Sequence, residues 1–326
     1  MFIDHQGLIV LGENLNATRK IKGGSPRIIE DGARRGLAYT DLSGTKRVLD
    51  LTAAYPADPK EHPSAMIPYI AQAFRDKDLK YIESAVQSQL DAGAHIIDLC
   101  VDEMSPYPEE RMEWMRWVVR TVQAMTDAIV SIDSSDPLTI EAGLKVHDPR
   151  KSRPCINSVN LEEGRGVLHA MAKEYNAYLV GNASGRSGMP YSAEERVANL
   201  VELCRQMAEH GIPMHDRFLD ALVFPVGAGP EYGSHYLDAV KQLRGMFPEV
   251  HLFGGHSNVS FGLPDRQILN DAFLILSILA GCDMIMVDPL MNPPRRYLEF
   301  KLAAEALMGK DEYATSYLAY HRSKTR

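Results

Sequence analysis

Cysteine is scarce in this chain: four residues in 326 (Cys100, Cys155, Cys204, Cys282) and no C-x-x-C. That excludes a disulfide-stapled fold and a cysteine zinc cluster, and leaves four small buried hydrophobes. No stretch approaches the roughly 18 uninterrupted apolar residues that a membrane span requires. Met1 to Val10 carries Asp4 and His5 before a short apolar run, so the basic segment and long apolar core of a secretory leader are both missing. The chain is read as cytoplasmic. Positive charge is not in excess: 35 Lys+Arg against 43 Asp+Glu give −8 and a pI near 5.8, which offers no global footprint for nucleic acid or an anionic membrane. Any anionic ligand must be met locally. Familiar catalytic signatures are absent as well. There is no H-E-x-x-H, no serine or cysteine in a nucleophile elbow, and Gly12-Glu13-Asn14-Leu15-Asn16 is not the G-x-G-x-x-G of a dinucleotide site.

What is present is ordinary globular composition, 45% hydrophobic and 24% charged, arranged as short apolar runs alternating with helix-length amphipathic segments. That is the pattern of repeated βα units around a parallel sheet. Candidate strands are Leu8–Leu11, Ile96–Leu99, Ala128–Ile132, Cys155–Val159, Ala177–Val180, Phe218–Phe224, His251–Phe253 and Met284–Val287. The clearest helix is Ser192 to His210, where Ser192 and Glu195 form a capping box and Gly211 supplies the stop. Tyr81–Ala92 and the nearly all-apolar Ile268–Ala280 read as packed helices. Eight βα units in about 250 residues are the arithmetic of a (β/α)8 TIM barrel, with an open doubly wound sheet as the alternative.

One segment breaks the alternation. Thr18–Arg75, after the first strand, is 58 residues long with five prolines, and its ten Lys/Arg against six Asp/Glu give it a charge of +4. A connection of that length is far outside loop priors. The expectation is one domain over residues 1–326, with 18–75 inserted in it as a functional excursion or a decoration.

In such a barrel the chemistry sits at the C-terminal strand ends. Here those ends hold Glu13, Asn14 and Asn16; Asp98 and Asp102; Asp133, Ser134 and Ser135; Asn157, Ser158 and Asn160; Asn182 and Ser184; Asp220; Ser257, Asn258 and Ser260; and Asp288. Lysine is missing, so a Schiff base is not suggested. A ring of carboxylates and carboxamides suits a flat heterocycle with an amino-amidine edge, a lactam carbonyl and ring N–H groups, such as a pterin or purine. Any single one of these residues could instead be a helix N-cap.

Taken in order and spacing, Gly12-Glu13-Asn14-Leu15-Asn16, Ile132-Asp133-Ser134, Ile156-Asn157-Ser158-Val159-Asn160, Leu219-Asp220 and Gly255-His256-Ser257-Asn258-Val259-Ser260-Phe261-Gly262 resemble the pterin-binding methyltransferases. These are the methyltetrahydrofolate:corrinoid protein methyltransferases and the folate domain of cobalamin-dependent methionine synthase. The resemblance covers nearly the whole chain except 18–75, and Ser257-Asn258-Val259-Ser260 is its most specific piece. It implies a TIM barrel that moves a methyl group between N5 of tetrahydrofolate and the cobalt of a cobalamin (corrinoid) carried by a partner protein, working as a homodimer and holding no metal of its own. Residue by residue, it implies that Asp133, Asn157 and Asp220 hold the pterin ring, with Asp133 counted as catalytic beside Asn258. Asn258 is matched to the side chain that hydrogen-bonds near N5. Gly255, Ser260 and Arg266 fall in the same binding segment, and Asn16 and Asp98 line the pocket. A tertiary amine is a poor leaving group, so N5 must gain positive character as the methyl departs, and a hydrogen bond that strengthens in the transition state supplies differential stabilisation.

Departures from the family pattern define further expectations. His256 stands where an apolar residue is more typical, so it either touches the ligands or packs in the core. Gly185-Arg186-Ser187-Gly188-Met189-Pro190 could carry a cation towards a folate tail. Dihydropteroate synthase shares the barrel but needs a basic signature near its C-terminus, and Met284–Pro289 holds no Lys or Arg. A zinc-dependent methyltransferase would need Cys or His ligands, for which Cys100 and Cys155 are weak candidates. A non-catalytic methylpterin-binding subunit would show the same polar ring. No base-off cobalamin motif is found in the chain, which implies a separate corrinoid protein.

Overall fold

The computed structural model describes residues 7–32 and 34–324; Asp4 and His5, which argue against a secretory leader, lie outside them. The chain begins with β1 (Ile9–Asn16). It then leaves through the short strands β2 (Ile21–Lys22), β3 (Ile28–Asp31), β4 (Arg34–Thr40), β5 (Lys46–Asp50) and β6 (Met66–Ile67). It returns to the β/α repeat with β7 (Ile96–Cys100), β8 (Ile129–Asp133), β9 (Cys155–Val159), β10 (Tyr178–Asn182), β11 (Arg217–Asp220), β12 (His251–Phe253) and β13 (Met284–Val287).

The eight long-range strands form one parallel sheet in the order β12-β11-β10-β9-β8-β7-β1-β13. Its edges meet through a parallel bridge between Gly255 and Met286, reinforced where Leu252 donates its N–H to Asp283 Oδ1 at 2.9 Å. The result is a nearly closed (β/α)8 TIM barrel, as the eight expected strands require. Phe218–Phe224 is shorter than expected. The Asp220 carboxylate accepts the Leu222 N–H at 2.7 Å, and Leu222 adopts φ +60°, so a side-chain turn replaces the ladder after residue 220.

Helices cover the outside. Ala193–Glu209 starts as the capping box predicts, with Ser192 Oγ accepting from Glu195 N at 3.2 Å, and ends at Gly211 with φ +72°. Leu79–Asp91 and Arg266–Ala280 occupy the other two expected helical positions. All four cysteines are buried free thiols, and among the described residues no helix is long and apolar enough to cross a membrane.

The inserted segment is ordered by the same apolar core as the barrel's outer layer. β3, β4 and β5 form an antiparallel sheet with β4 central, and β2 pairs with β6. Leu37, Leu49, Leu51 and Ile67 are buried together with Phe74 and Ile82 of the following helices. Tyr39 packs edge-on against Tyr81 at 5.1 Å, and Ser84 Oγ donates to Thr40 O at 2.9 Å. This sheet therefore packs against the barrel next to the ends of β1 and β13.

Candidate active site at the barrel mouth

Alternation along the strands builds the site. Ile9, Leu11, Ile96, Cys155, Tyr178, Val180, Phe218, Phe253 and Met284 form a second apolar cluster, the barrel interior. Strand side chains alternate with period two, so stepping two residues at a time towards the C-terminal ends brings Asp98, Ser131, Asp133, Asn157, Asn182 and Asp220 to the inner face above that plug. Register aligns them: Asp98 lies opposite Ser131, Asp133 opposite Asn157, and Asn182 opposite Asp220.

The β7–β9 wall is hydrogen-bonded in advance. Asp98 is fully buried, and its Oδ1 accepts from Ser131 Oγ at 2.7 Å and Asn157 Nδ2 at 3.3 Å. Its Oδ2 has no donor among the described residues and faces Asp133. Burial pushes Asp98 up to about 6. Burial, with the charges of Asp98 and Asp102 added, holds Asp133 well above the usual carboxylate range. Two carboxylates this close do not both ionise readily, so each raises the other. Asp220 is likewise pushed up to about 6 by burial.

Two residues that sequence reasoning missed, Ser131 and Arg165, hold this wall in place together with Asp102 and Asn182 of the strand ends. Ser131 could have been found from alternation, two positions before Asp133. Arg165 could not, because it comes from the loop after β9. Its guanidinium donates to the carbonyls of Ser134, Ser135 and Ser158, tying the ends of β8 and β9 together. Asp102 serves the same end, accepting from Ser134 Oγ at 2.5 Å and Ser135 N at 2.8 Å. Asn182 donates to Ser158 Oγ at 2.7 Å.

The opposite wall is different. After β12 the chain makes a 3-10 turn, His256–Ser260. Asn258 is exposed on it and its side chain makes no hydrogen bond among the described residues. Its Nδ2 lies 3.0 Å from where a Cβ at position 255 would project, so Gly255 leaves the room that places this amide. Ser260 and Arg266 brace the turn: Ser260 Oγ donates to Asn270 Oδ1 at 2.7 Å, and Arg266 donates to Ser260 Oγ at 3.0 Å and to Ser257 O at 2.7 Å. Asn16 turns to the insertion, accepting from Thr18 N at 3.0 Å and Thr18 Oγ at 2.6 Å. Beside it Arg19 bridges Glu13 at 3.1 Å and Asp288 at 2.7 Å.

His256 resolves to the packed alternative. It is fully buried among Tyr236 and Phe273, and burial pulls its imidazole down to about 3, so it stays neutral and away from the mouth. Arg186 is exposed and pairs with Glu202 at 3.6 Å. Cys155 is buried in the barrel interior, and the described residues contain no group of three His, Cys, Asp or Glu suited to a metal.

Residues 70–288 match the family model described as pterin binding enzyme. The chain is 27% identical over 254 residues to a methylcorrinoid:tetrahydrofolate methyltransferase of Eubacterium limosum, covering 77% of this chain and 90% of that protein. It is 28% identical over 229 residues to a methionine synthase of Mycobacterium tuberculosis, a match that spans 66% of this chain but 19% of that longer protein. Among solved structures, a Yersinia pestis DHPS with a pterine-sulfa conjugate superposes with a TM-score of 0.57 at 18% identity, over 70% of this chain and 90% of that one. At that identity the likeness is one of fold.

Proposed function

This chain belongs to the family of pterin binding enzymes, and from that premise we propose that it is a methyltransferase moving a methyl group between N5 of tetrahydrofolate and the cobalt of a corrinoid held by a partner protein. One observation carries this reading. A hydrogen-bonded wall of Asp98, Ser131, Asn157 and, in register, Asp133 stands on one side of the barrel mouth, and an unengaged carboxamide, Asn258, stands on the β12 side.

The roles follow from the donor and acceptor inventory. Asp133 and Asn157 offer acceptors and donors in register to the N–H/NH2 edge and lactam of a pterin, with Asp220 adding a further acceptor. As the methyl passes to cobalt the bonding pair remains on N5, which takes a proton from solvent so that it departs as a neutral secondary amine. The Asn258 carboxamide aimed at N5, donor and acceptor both, hydrogen-bonds that nitrogen as its charge changes. The mouth contributes position and electrostatics, while the corrinoid cobalt is the methyl donor or acceptor. One site stabilises the same transition state in both directions.

The basic insertion is proposed to face the corrinoid partner across the mouth, within a single domain that includes it. The helix Arg266–Ala280 leaves Ile268, Leu269, Leu276 and Leu279 exposed, which supports a homodimer built on that face. A cytoplasmic location accords with the free thiols.

The test is methyl exchange between methylcobalamin and tetrahydrofolate, repeated with a corrinoid protein. Transfer in either direction is expected. Pterin binding without transfer, even with the corrinoid protein present, would replace this reading with a methylpterin-binding subunit.

A further inference from the structure

Where the inserted sheet meets the barrel it leaves a chamber of about 260 Å³. Arg27, Leu37, Tyr39 and Tyr69 of the insertion line it, and helix Leu79–Asp91 adds Tyr81 and Ser88. This chamber is not the barrel mouth. Successive side chains of β1 point to opposite sides: Glu13 lines the mouth cleft with Ser257 and Arg266, whereas Asn14 lines the chamber. Asp288 and Met291 form the wall common to both.

Hydrogen-bonding capacity in the chamber is one-sided. Its carboxylate, Asp288, is already neutralised, accepting from Asn14 Nδ2 at 3.0 Å, Leu290 N at 3.0 Å and Arg19 Nη2 at 2.7 Å. The remaining oxygen of the Asn14 carboxamide is shut off from solvent. The donors, by contrast, are free. Tyr81 is 8% exposed, and its hydroxyl makes no hydrogen bond among the described residues. Burial holds this phenol above its ordinary range, so it keeps its proton. Tyr69, also buried, accepts from Arg19 Nε at 3.0 Å and has no acceptor for its own proton among the described residues. Arg27 is exposed, makes no ion pair among the described residues and lies close enough to Tyr81 to act on its charge. Two buried hydroxyls and a guanidinium without acceptors call for a ligand group that brings anionic oxygens.

The remaining walls are apolar or aromatic. Leu37 is buried, Tyr39 stands edge-on to Tyr81 at 5.1 Å, and Leu290 and Met291 flank them. Such walls suit a flat ring. The volume falls below the roughly 300–1,000 Å³ of pockets for drug-sized ligands, which limits the occupant to about one ring.

We infer that this chamber is a second binding site, for a small aromatic carboxylate whose ring lies against Leu37, Tyr39 and Tyr81 and whose oxygens meet the Tyr69 and Tyr81 hydroxyls and Arg27. The site is made by the insertion and does not depend on the methyl-transfer reading.

The test follows 4-fluorobenzoate by fluorine NMR on the full chain, with 4-fluorobenzyl alcohol as its uncharged counterpart. For a ligand of about ten heavy atoms a Kd of about 1 mM is expected, and the alcohol should bind at least about tenfold more weakly. Arg27→Glu should weaken benzoate binding about tenfold and Tyr81→Phe about fivefold. The first position is exposed and the second change removes only an unpaired oxygen, so both variants are expected to fold, checked by melting curves. Excess tetrahydrofolate should leave the probe bound. No binding at about 10 mM, equal binding of the alcohol, unchanged affinity in either variant, or displacement by tetrahydrofolate overturns the inference.

Discussion

The two walls of the barrel mouth are built on opposite plans. On the β7–β9 side Asp98, Ser131, Asp133 and Asn157 are prearranged, rich in acceptors and braced by Arg165. On the β12 side Asn258 and Arg266 are exposed, rich in donors and only partly engaged. A rigid acceptor wall recognises a ring edge that is the same before and after reaction. A looser donor wall can respond to an atom whose charge changes as a bond breaks. Recognition is therefore expected to reside on the first wall and rate on the second, and substitutions should separate the two.

The largest effect expected on this division is from Asn258→Ala, which should lower kcat by about 2–4 kcal/mol of barrier with KM little changed; steady-state kinetics check it, and unchanged turnover would remove Asn258 from the mechanism. Asp133→Asn tests the other wall. An amide presents a donor where the N–H/NH2 edge needs an acceptor, so pterin binding should weaken by about 2–3 kcal/mol, read by titration, while a defect confined to kcat would break the comparison.

A smaller effect follows from the raised carboxylates. The folded value of Asp220 near 6 exceeds that of an unfolded aspartate. The unfolded chain therefore gives up this proton first, and stability falls as pH rises from about 4 to about 6. Asp220→Asn should then stabilise the free protein by about 1–2 kcal/mol at pH 7.5 and leave it unchanged at pH 4, with pterin affinity reduced. Melting curves at the two pH values decide it, and an equal gain at both would refute the burial argument. The smallest effect is expected at His256→Leu. Turnover should stay within about twofold and stability within about 1.5 kcal/mol, because the side chain packs behind the turn and bears no charge. A large loss of kcat would put this histidine back in the site.

The acceptor wall was largely legible in the sequence and the donor wall only in part. Asp98, Asp133, Asn157 and Asp220 follow apolar strands with a period of two, so their inward direction is written in the alternation once a barrel is assumed. Ser131 obeys the same rule and needed only to be read by it. Gly255 and Asn258 stand out in the motif, yet only the 3-10 turn shows that a Cβ at position 255 would come within 3.0 Å of the Asn258 amide. Ser260, Arg266 and Asn16 are polar residues at the right place in the chain whose described hydrogen bonds brace loops. Sequence position does not distinguish a side chain that meets a ligand from one that holds the residue that does.

The sequence by itself determined the eight strands, the helix Ala193–Glu209 and the location of the surplus residues, because periodicity, caps and glycine stops are local properties. It also determined that the mouth would be lined with carboxylates and carboxamides. The tertiary structure decided the rest. It set Asp98 near Asp133 so that burial and mutual repulsion raise both, buried His256, and brought Arg165 to the carbonyls of two strand ends. It also joined Arg19 to Asp288, which is 269 positions further along the chain. These outcomes depend on register and on contacts between distant segments, where burial and pairing set the charge of each group, and neither is encoded in any short stretch of residues.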